Sequence, residues 1–332
     1  MKVLRQIGHG DADAGLRLDD DPIPAPGPGE VVVALEVAPV QLLEVWNLKG
    51  PLRFPAKELP RVPGSEGVGR IVQVGDNVTR FKRGDRVFTP KFTGTFREMM
   101  ACPAETTYRA PEGVPADQLC IVSTMGLTAI LLLEDYVPLP PGAWLMHDAA
   151  NSSIGRFVVG MAHARGWRTV NIVRRAGLDN EIKALGGDAV VVDPGTPEGL
   201  KCAVDAATGG AAITVALDMI GGDLAGRLAH GLAENGTLVL YGATGGEPAR
   251  VDFIDMGRRG TTLTGMGMSR SFNKRTPEQK DAVWDQLGRW ARDGVLKTRI
   301  AGAYALSDYK AAYAHAAVPS RERDGKVIFR FD

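Results

Sequence analysis

The strongest constraint on this chain lies in its middle third, where short apolar strands alternate with helices. "GAWLMHD" reads as a strand and "SSIGRFVVGMAHARG" as a helix closed by Gly166. "RTVNIVRR" is the next strand, followed by the helix "NEIKALGG" with glycine at its end, and then the strand "DAVVVD". Further on, "ITVALDMIG" and "GTLVLYG" are strands with "LAGRLAHGLAENG" between them. Strands joined through helices must run in the same direction, so this region predicts a parallel sheet covered by crossover helices.

The flanks read differently. Up to about residue 118 the apolar runs are short, β-branched and bounded by Gly and Pro: "EVVVALEVAPV", "GVGRIVQVG" and "DRVFTP". These predict a compact, barrel-like β domain. Near the C-terminus "TPEQKDAVWDQLGRWARDG" predicts a long helix, with Thr276 as cap, Pro277 in the first turn and Gly294 at the end. A helix, "YALSDYKAAYAHAA", and a final strand, "GKVIF", follow. The expected division is a β-rich domain over 1–120, completed by 270–332, and an alternating strand–helix domain over 121–269.

Composition limits the function. A chain of 332 residues, 44% of them hydrophobic, supports a sizeable core. Lys plus Arg and Asp plus Glu both number 39, so no global charge bias points to nucleic acid or to acidic membranes. No apolar run approaches the length of a membrane-spanning helix. Cys102, Cys120 and Cys202 are odd in number and far apart, which fits a reducing compartment, and a cytoplasmic location is expected. His9, His147, His163, His230 and His315 show no metal-ligand spacing and read as surface or helix residues.

The turn between the first strand and helix of the alternating region carries the chemistry. A phosphate loop needs a tight turn, close backbone approach and free N–H groups at a helix start. "AANSSIG" meets this with small residues, Ala149-x-x-Ser152-x-x-Gly155, where the usual pattern has three glycines. Small residues at a helix start also serve plain packing; the strand–turn–helix context favours a nucleotide. The second strand then ends in Arg174-Arg175, and no carboxylate precedes Asp179. Two guanidinium groups there suit a 2′-phosphate, and hence NADPH, better than a bare ribose.

On these motifs the chain resembles the medium-chain dehydrogenase/reductase superfamily. Within it, the chain is similar to the zinc-free 2-enoyl thioester reductases, whose loop has an "AANS-G-VG" form and whose next strand ends "VVR". "LVLYGATGGEP", a strand "LTGMGMSRSF" and "GKVIF" also have counterparts there. The resemblance implies a Rossmann doubly wound parallel sheet with a β-rich GroES-like catalytic domain, an α/β fold. It implies that Asn151, Ser152, Ser153 and Ile154 line the pyrophosphate and that Arg174 and Arg175 meet the 2′-phosphate. Tyr241, Gly242, Ala243 and Thr244 would lie beside the ribose and nicotinamide. Met266, Gly267, Met268 and Lys326 would complete the NADPH site. A homodimer built through the strand around 261–269 is also implied, since an open apolar sheet edge is rarely left uncovered.

Zinc-dependent members carry a Cys ligand in the first domain and a His-Glu pair after a glycine. Here "PGSEG" has Ser65 in place of that His, and no Cys precedes residue 102. Metal-free chemistry is therefore expected. The substrate side departs from the enoyl reductases: Leu52 stands at the family's tyrosine, Gln41 to Glu44 read "QLLE" for "NPSD", and Met125 replaces an asparagine. The candidates for substrate contact are Gln41, Trp46, Asn47, Arg53 and Thr128. The expected function is NADPH-dependent hydride transfer to a small conjugated acceptor, an enoyl thioester or another α,β-unsaturated carbonyl. The alternatives are a quinone acceptor or an NADPH-binding protein without turnover.

Overall fold

The computed structural model describes residues 1–50, 58–318 and 320–331. Two compact units emerge. One joins Met1–Thr124 to Trp284–Asp332, and the other is Met125–Val283.

The first unit is β-rich. Lys2–Gln6 (β1) and Leu16–Asp20 (β2) form an antiparallel hairpin. Glu30–Val40 (β3), Val68–Val74 (β4), Arg86–Phe88 (β5), Met99–Pro103 (β6) and Tyr108–Arg109 (β7) belong to a second sheet. β3 is its centre, paired with both β4 and β6. Val31, Val33 and Leu35 pack into one core cluster with Ile71, Val87 and Met100. Ala38 and Val40 enter another, with Leu4, Phe96 and Phe329. The change from odd to even positions coincides with a register shift between Leu35 and Val37. Side chains alternate along a strand, so one extra residue carries the inward set to the other face.

The second unit holds the alternating region. Its strands are Trp144–His147 (β8), Arg168–Val173 (β9), Ala189–Val192 (β10), Val215–Asp218 (β11), Thr237–Leu240 (β12) and Thr262–Gly265 (β13). All pair in parallel, in the order β10-β9-β8-β11-β12-β13. The order reverses at β8, which makes the loops after β8 and β11 the switch point where doubly wound sheets bind ligands. Helices such as Ser153–Ala164 and Gly222–Gly231 are amphipathic; the latter buries Leu224, Ala225 and Leu228 in the core cluster beneath the sheet.

The chain then returns to the first unit with Ile300–Tyr304 (β14) and Lys326–Arg330 (β15), and β15 pairs antiparallel with β3 over Val37–Val40. The helix before them runs Pro277–Arg292. Its start is a reciprocal cap: Gln279 N donates to Thr276 Oγ1 at 3.3 Å, and Thr276 N donates to Gln279 Oε1 at 3.0 Å. Trp284 on this helix stacks on Tyr108 at 4.8 Å and tilts against Phe88 at 5.1 Å.

Several sequence expectations need correction. The strand expected through "LTGMGMSRSF" stops at Gly265, and Met268–Asn273 is helical. Two glycines, Gly265 and Gly267, separate the elements. His147 is neither a surface nor a helix residue; it lies fully buried in β8 with Nε2 2.7 Å from Asn171 Oδ1. Burial lowers its pKa to about 4, so it is neutral. An apolar helical run of membrane-spanning length does exist, at Ala116–Tyr136, with a mean hydropathy of 1.7. Since 72% of that window is buried within the protein, it serves as a core helix.

The turn after β8 carries the tightest steric constraint. Ala149 takes a left-handed φ of 47°, and a methyl group on Gly155 would lie 2.4 Å from the Ala149 carbonyl oxygen and 2.7 Å from Ala150 Cα. Only glycine lets the helix start against that backbone. Gly155→Ala is expected to lower stability by roughly 1–3 kcal/mol, the range for overpacked sites, read as a lower urea midpoint at unchanged slope.

Candidate active site

The phosphate-loop geometry is assembled from three chain segments. Ser152 caps the helix, its Oγ accepting from Gly155 N at 3.1 Å. Asn151 is exposed, Ser153 half-buried and Ile154 buried. Beside the loop lies Met219–Ile220, just past β11. Asp148, the residue before the loop, accepts from Met219 N at 2.8 Å and from Ile220 N at 3.2 Å. The third segment follows β12. Thr244 donates from its N–H and from its hydroxyl to Met219 O, at 3.0 and 3.2 Å. A methyl on Gly242 would lie 2.6 Å from the same oxygen. Asn151, Ser152, Tyr241, Gly242, Ala243 and Thr244 therefore share one scaffold, with Met219 at its centre.

The other expected cofactor residues are distributed more widely. Arg174 and Arg175 follow β9, are exposed, and make no side-chain bond or ion pair among the described residues. Met266 is buried and Gly267 exposed just past β13, and Met268 is half-buried at a helix start. Thr128 lies in the helix Leu127–Tyr136 of the second unit. Lys326 belongs to the first unit, where Nζ donates to Gln41 Oε1 at 2.8 Å. The Tyr241 hydroxyl is buried without a hydrogen-bond partner.

The first unit buries a polar network around Glu66. Gln41 Nε2 donates to its carboxylate at 2.6 Å, Ser123 Oγ at 2.9 Å and Thr124 N at 2.8 Å, with the Thr124 hydroxyl as a further donor. Gln41 thus bridges Lys326 to Glu66. Burial raises the Glu66 pKa, and the four donors oppose that shift. Glu44 lies close by. It accepts a hydrogen bond from the Ser65 hydroxyl, while its Oε2 has no partner. Burial lifts its pKa to about 7. Trp46 and Asn47 are half-buried on the helix Leu42–Lys49, and the Asn47 carbonyl accepts from Gln6 Nε2. Leu52 and Arg53 lie outside the described residues.

Sequence reasoning did not single out Asp148, Asp218, Glu44 or Glu66 as partners. Each had a local signal: an acid directly before the loop, an acid closing the strand "VALD", and the acids of "QLLE" and "PGSEG".

Comparison with known proteins places this architecture. Residues 27–113 match the alcohol dehydrogenase GroES-like domain, and residues 185–329 match the zinc-binding dehydrogenase model. A mitochondrial enoyl-[acyl-carrier-protein] reductase of Dictyostelium discoideum is 30% identical over 84% of this chain and 81% of its own length. The human mitochondrial enzyme of the same name is 28% identical over 92% of this chain and 82% of its own. The solved structure of a mycobacterial quinone oxidoreductase is 27% identical with a TM-score of 0.88, covering 99% of each chain. The chain belongs to the medium-chain dehydrogenase/reductase family, as an oxidoreductase with a GroES-like domain and a Rossmann sheet. Enoyl reductases and quinone oxidoreductases are both among its relatives.

The second family description implies zinc, and the residues present do not fit it. Ser65 is engaged by Glu44, Gln41 is an amide held between Lys326 and Glu66, and no group of three or more His, Cys, Asp or Glu among the described residues could hold a metal ion.

Glu44 makes a pH prediction. Its folded pKa lies above its ordinary value, so the folded state keeps a proton that the unfolded chain has released. Its contribution to stability is complete below about pH 4.5 and is lost as pH rises through about 7. Across that window it amounts to on the order of 3 kcal/mol. Glu44→Gln should flatten the fall in stability from pH 5 to 8 in urea titrations. An unchanged slope would refute the assignment.

Proposed function

We propose that the protein is an NADPH-dependent, metal-free reductase that transfers hydride to the C=C of an enoyl thioester or a related α,β-unsaturated carbonyl. The observation that carries this reading is the pairing of a phosphate loop, whose Gly155 admits no side chain, with two unpaired arginines at the end of the adjacent strand. The enoyl reductases among its relatives support the acceptor. NADPH binding is supported by a mycobacterial structure complexed with NADPH, 26% identical with a TM-score of 0.83. NADPH supplies the hydride. Asn151 to Ile154 would hold its pyrophosphate at the helix start, and Arg174 and Arg175 its 2′-phosphate. Tyr241 to Thr244 are assigned to the ribose and nicotinamide, and Met266 to Met268 with Lys326 complete the cofactor site. The substrate side falls to Gln41, Trp46, Asn47, Arg53 and Thr128. Their role is to orient the acceptor and to stabilise negative charge on its conjugated oxygen. Residues 121–269 are then the NADPH-binding domain, and the flanking segments form the catalytic domain.

A quinone acceptor is the second reading, favoured by the mycobacterial relative. NADPH consumption with a crotonyl thioester, with a quinone, or with neither separates the two readings from a binding protein without turnover. The three free cysteines fit a reducing compartment, and we place the protein in the cytoplasm, although the named reductase relatives are mitochondrial.

Cofactor choice is the sharpest test. A charge-assisted bond to a phosphate contributes about 1.5–3 kcal/mol, so losing one should weaken NADPH by about one to two decades. Arg174→Ala and Arg175→Ala should raise KM for NADPH, spare NADH and leave kcat nearly unchanged. A wild-type preference for NADH would overturn the assignment.

A homodimer through β13 completes the proposal. β13 pairs only with β12 among the described residues, and Leu263 on it is exposed. In the same unit, the helix Phe253–Arg259 exposes Phe253 (83%) and Ile254 (77%). An open edge and exposed apolar side chains invite pairing with a second copy. Phe253→Asp with Ile254→Asp should shift the mass in light scattering from dimer to monomer. A wild-type monomer at micromolar concentration counts against the dimer.

A further inference from the structure

Two buried carboxyl groups lie at the switch point, and hydride transfer as described uses neither. Asp148 directly follows β8 and Asp218 ends β11, and both are 0% exposed. Their hydrogen bonds converge. Ile220 N donates to Asp218 Oδ1 at 2.7 Å and to Asp148 Oδ2 at 3.2 Å, so both groups crowd one amide. Gly221 N completes Asp218 Oδ1 at 2.7 Å, and Met219 N completes Asp148 Oδ1 at 2.8 Å. Asp218 Oδ2 is buried with no donor among the described residues.

Two carboxylates cannot both stay ionised in such a space. A proton on Asp148 answers both problems, because it removes one of the two charges and gives the pair an O–H donor where one is missing. Burial, with the neighbouring Asp218 charge, holds the Asp148 pKa far above the usual carboxylate range. The other titratable group against the pair is Tyr241, whose buried hydroxyl lacks a partner and whose pKa is likewise raised by burial and by the two acids. His147, next along β8, is engaged with Asn171 instead.

We propose that Asp148 and Asp218 share one proton, and that this carboxyl–carboxylate hydrogen bond positions the cofactor by holding the phosphate loop against Met219–Gly221. The inference rests on the reading that this loop binds NADPH. Its mechanical basis is the role of Met219. The amide of that residue is held by Asp148, its sulfur accepts from the Ser152 hydroxyl at 3.6 Å, and its carbonyl accepts both donors of Thr244. Losing the shared proton would set two like charges against each other beneath all three segments. NADPH should then be held less well at alkaline pH, while the residues that touch it stay unchanged.

Asparagine at 148 imitates the protonated acid in part: its carbonyl oxygen accepts from Met219 N and its amide can donate to Asp218, while Ile220 N gives up its 3.2 Å bond to residue 148 and keeps the 2.7 Å bond to Asp218 Oδ1. Two measurements decide the proposal. In cofactor-free protein at pH 8, infrared difference spectra should show the band of a protonated buried carboxyl that disappears in Asp148→Asn. By fluorescence titration, the NADPH Kd of the wild type should rise about tenfold between neutral and alkaline pH, and Asp148→Asn should abolish that rise. If Asp148→Asn does not fold, Asp218→Asn serves in its place, because its amide can donate to Asp148. A carboxyl band that both variants leave intact overturns the shared proton. An alkaline loss of affinity equal in wild type and variant overturns the positioning role. Failure to bind NADPH at any pH strikes the proposed function instead, and the infrared result still decides the proton.

Discussion

The helix that follows β8 can take its place only because residue 155 has no side chain. Its Cα lies against the backbone of Ala149 and Ala150, where any methyl group would overlap the chain. That contact fixes where the helix starts, and a helix start is where backbone N–H groups can meet an anion. Ala149 completes the turn from the left-handed region, which alanine adopts at some cost. Ser152 takes over the capping. The loop makes its tight turn with small side chains and one obligatory glycine, where the usual pattern has three glycines.

The protein buries acidic groups in two distinct ways. Glu66 is surrounded by donors and bridged through Gln41 to Lys326, and these bonds offset part of the cost of its burial. Glu44 and the Asp148–Asp218 pair have fewer donors than acceptor oxygens, and unpartnered oxygens remain. Each N–H or O–H that reaches a buried carboxyl group lowers the cost of its charged form, and each oxygen without one raises it. The contrast lies in the number of neighbouring N–H and O–H groups, since all four acids are buried.

Much of this was legible in the sequence, for local reasons. The parallel sheet follows from the alternation of apolar strands and helices, and β8 to β12 fall within the segments that pattern marks. The long helix announces itself through Thr276, Pro277 and Gly294, although the reciprocal bond from Gln279 needs the folded backbone. The hairpin β1–β2 is hard to read because its strands, "KVLRQ" and "LRLDD", mix charged and apolar residues and gain their order from each other. The acid pair is harder still. Asp148 and Asp218 stand 70 residues apart and meet only because β8 and β11 are neighbours across the reversal of strand order. Likewise, the site of Trp284 between Phe88 and Tyr108 depends on contacts that no local pattern encodes.

The pairing of β15 with β3 bears on how the chain is made. β3 is the centre of its sheet, yet its partner over Val37–Val40 is supplied from Val327–Arg330, after the entire second unit has been synthesised. A nascent chain therefore carries β3 with part of its edge bare while the parallel sheet of the second unit forms and closes. An unpaired β-branched edge is a template for unwanted pairing with other chains. Truncation or a stalled ribosome before β15 would leave a product whose second unit is sound and whose first unit is adhesive.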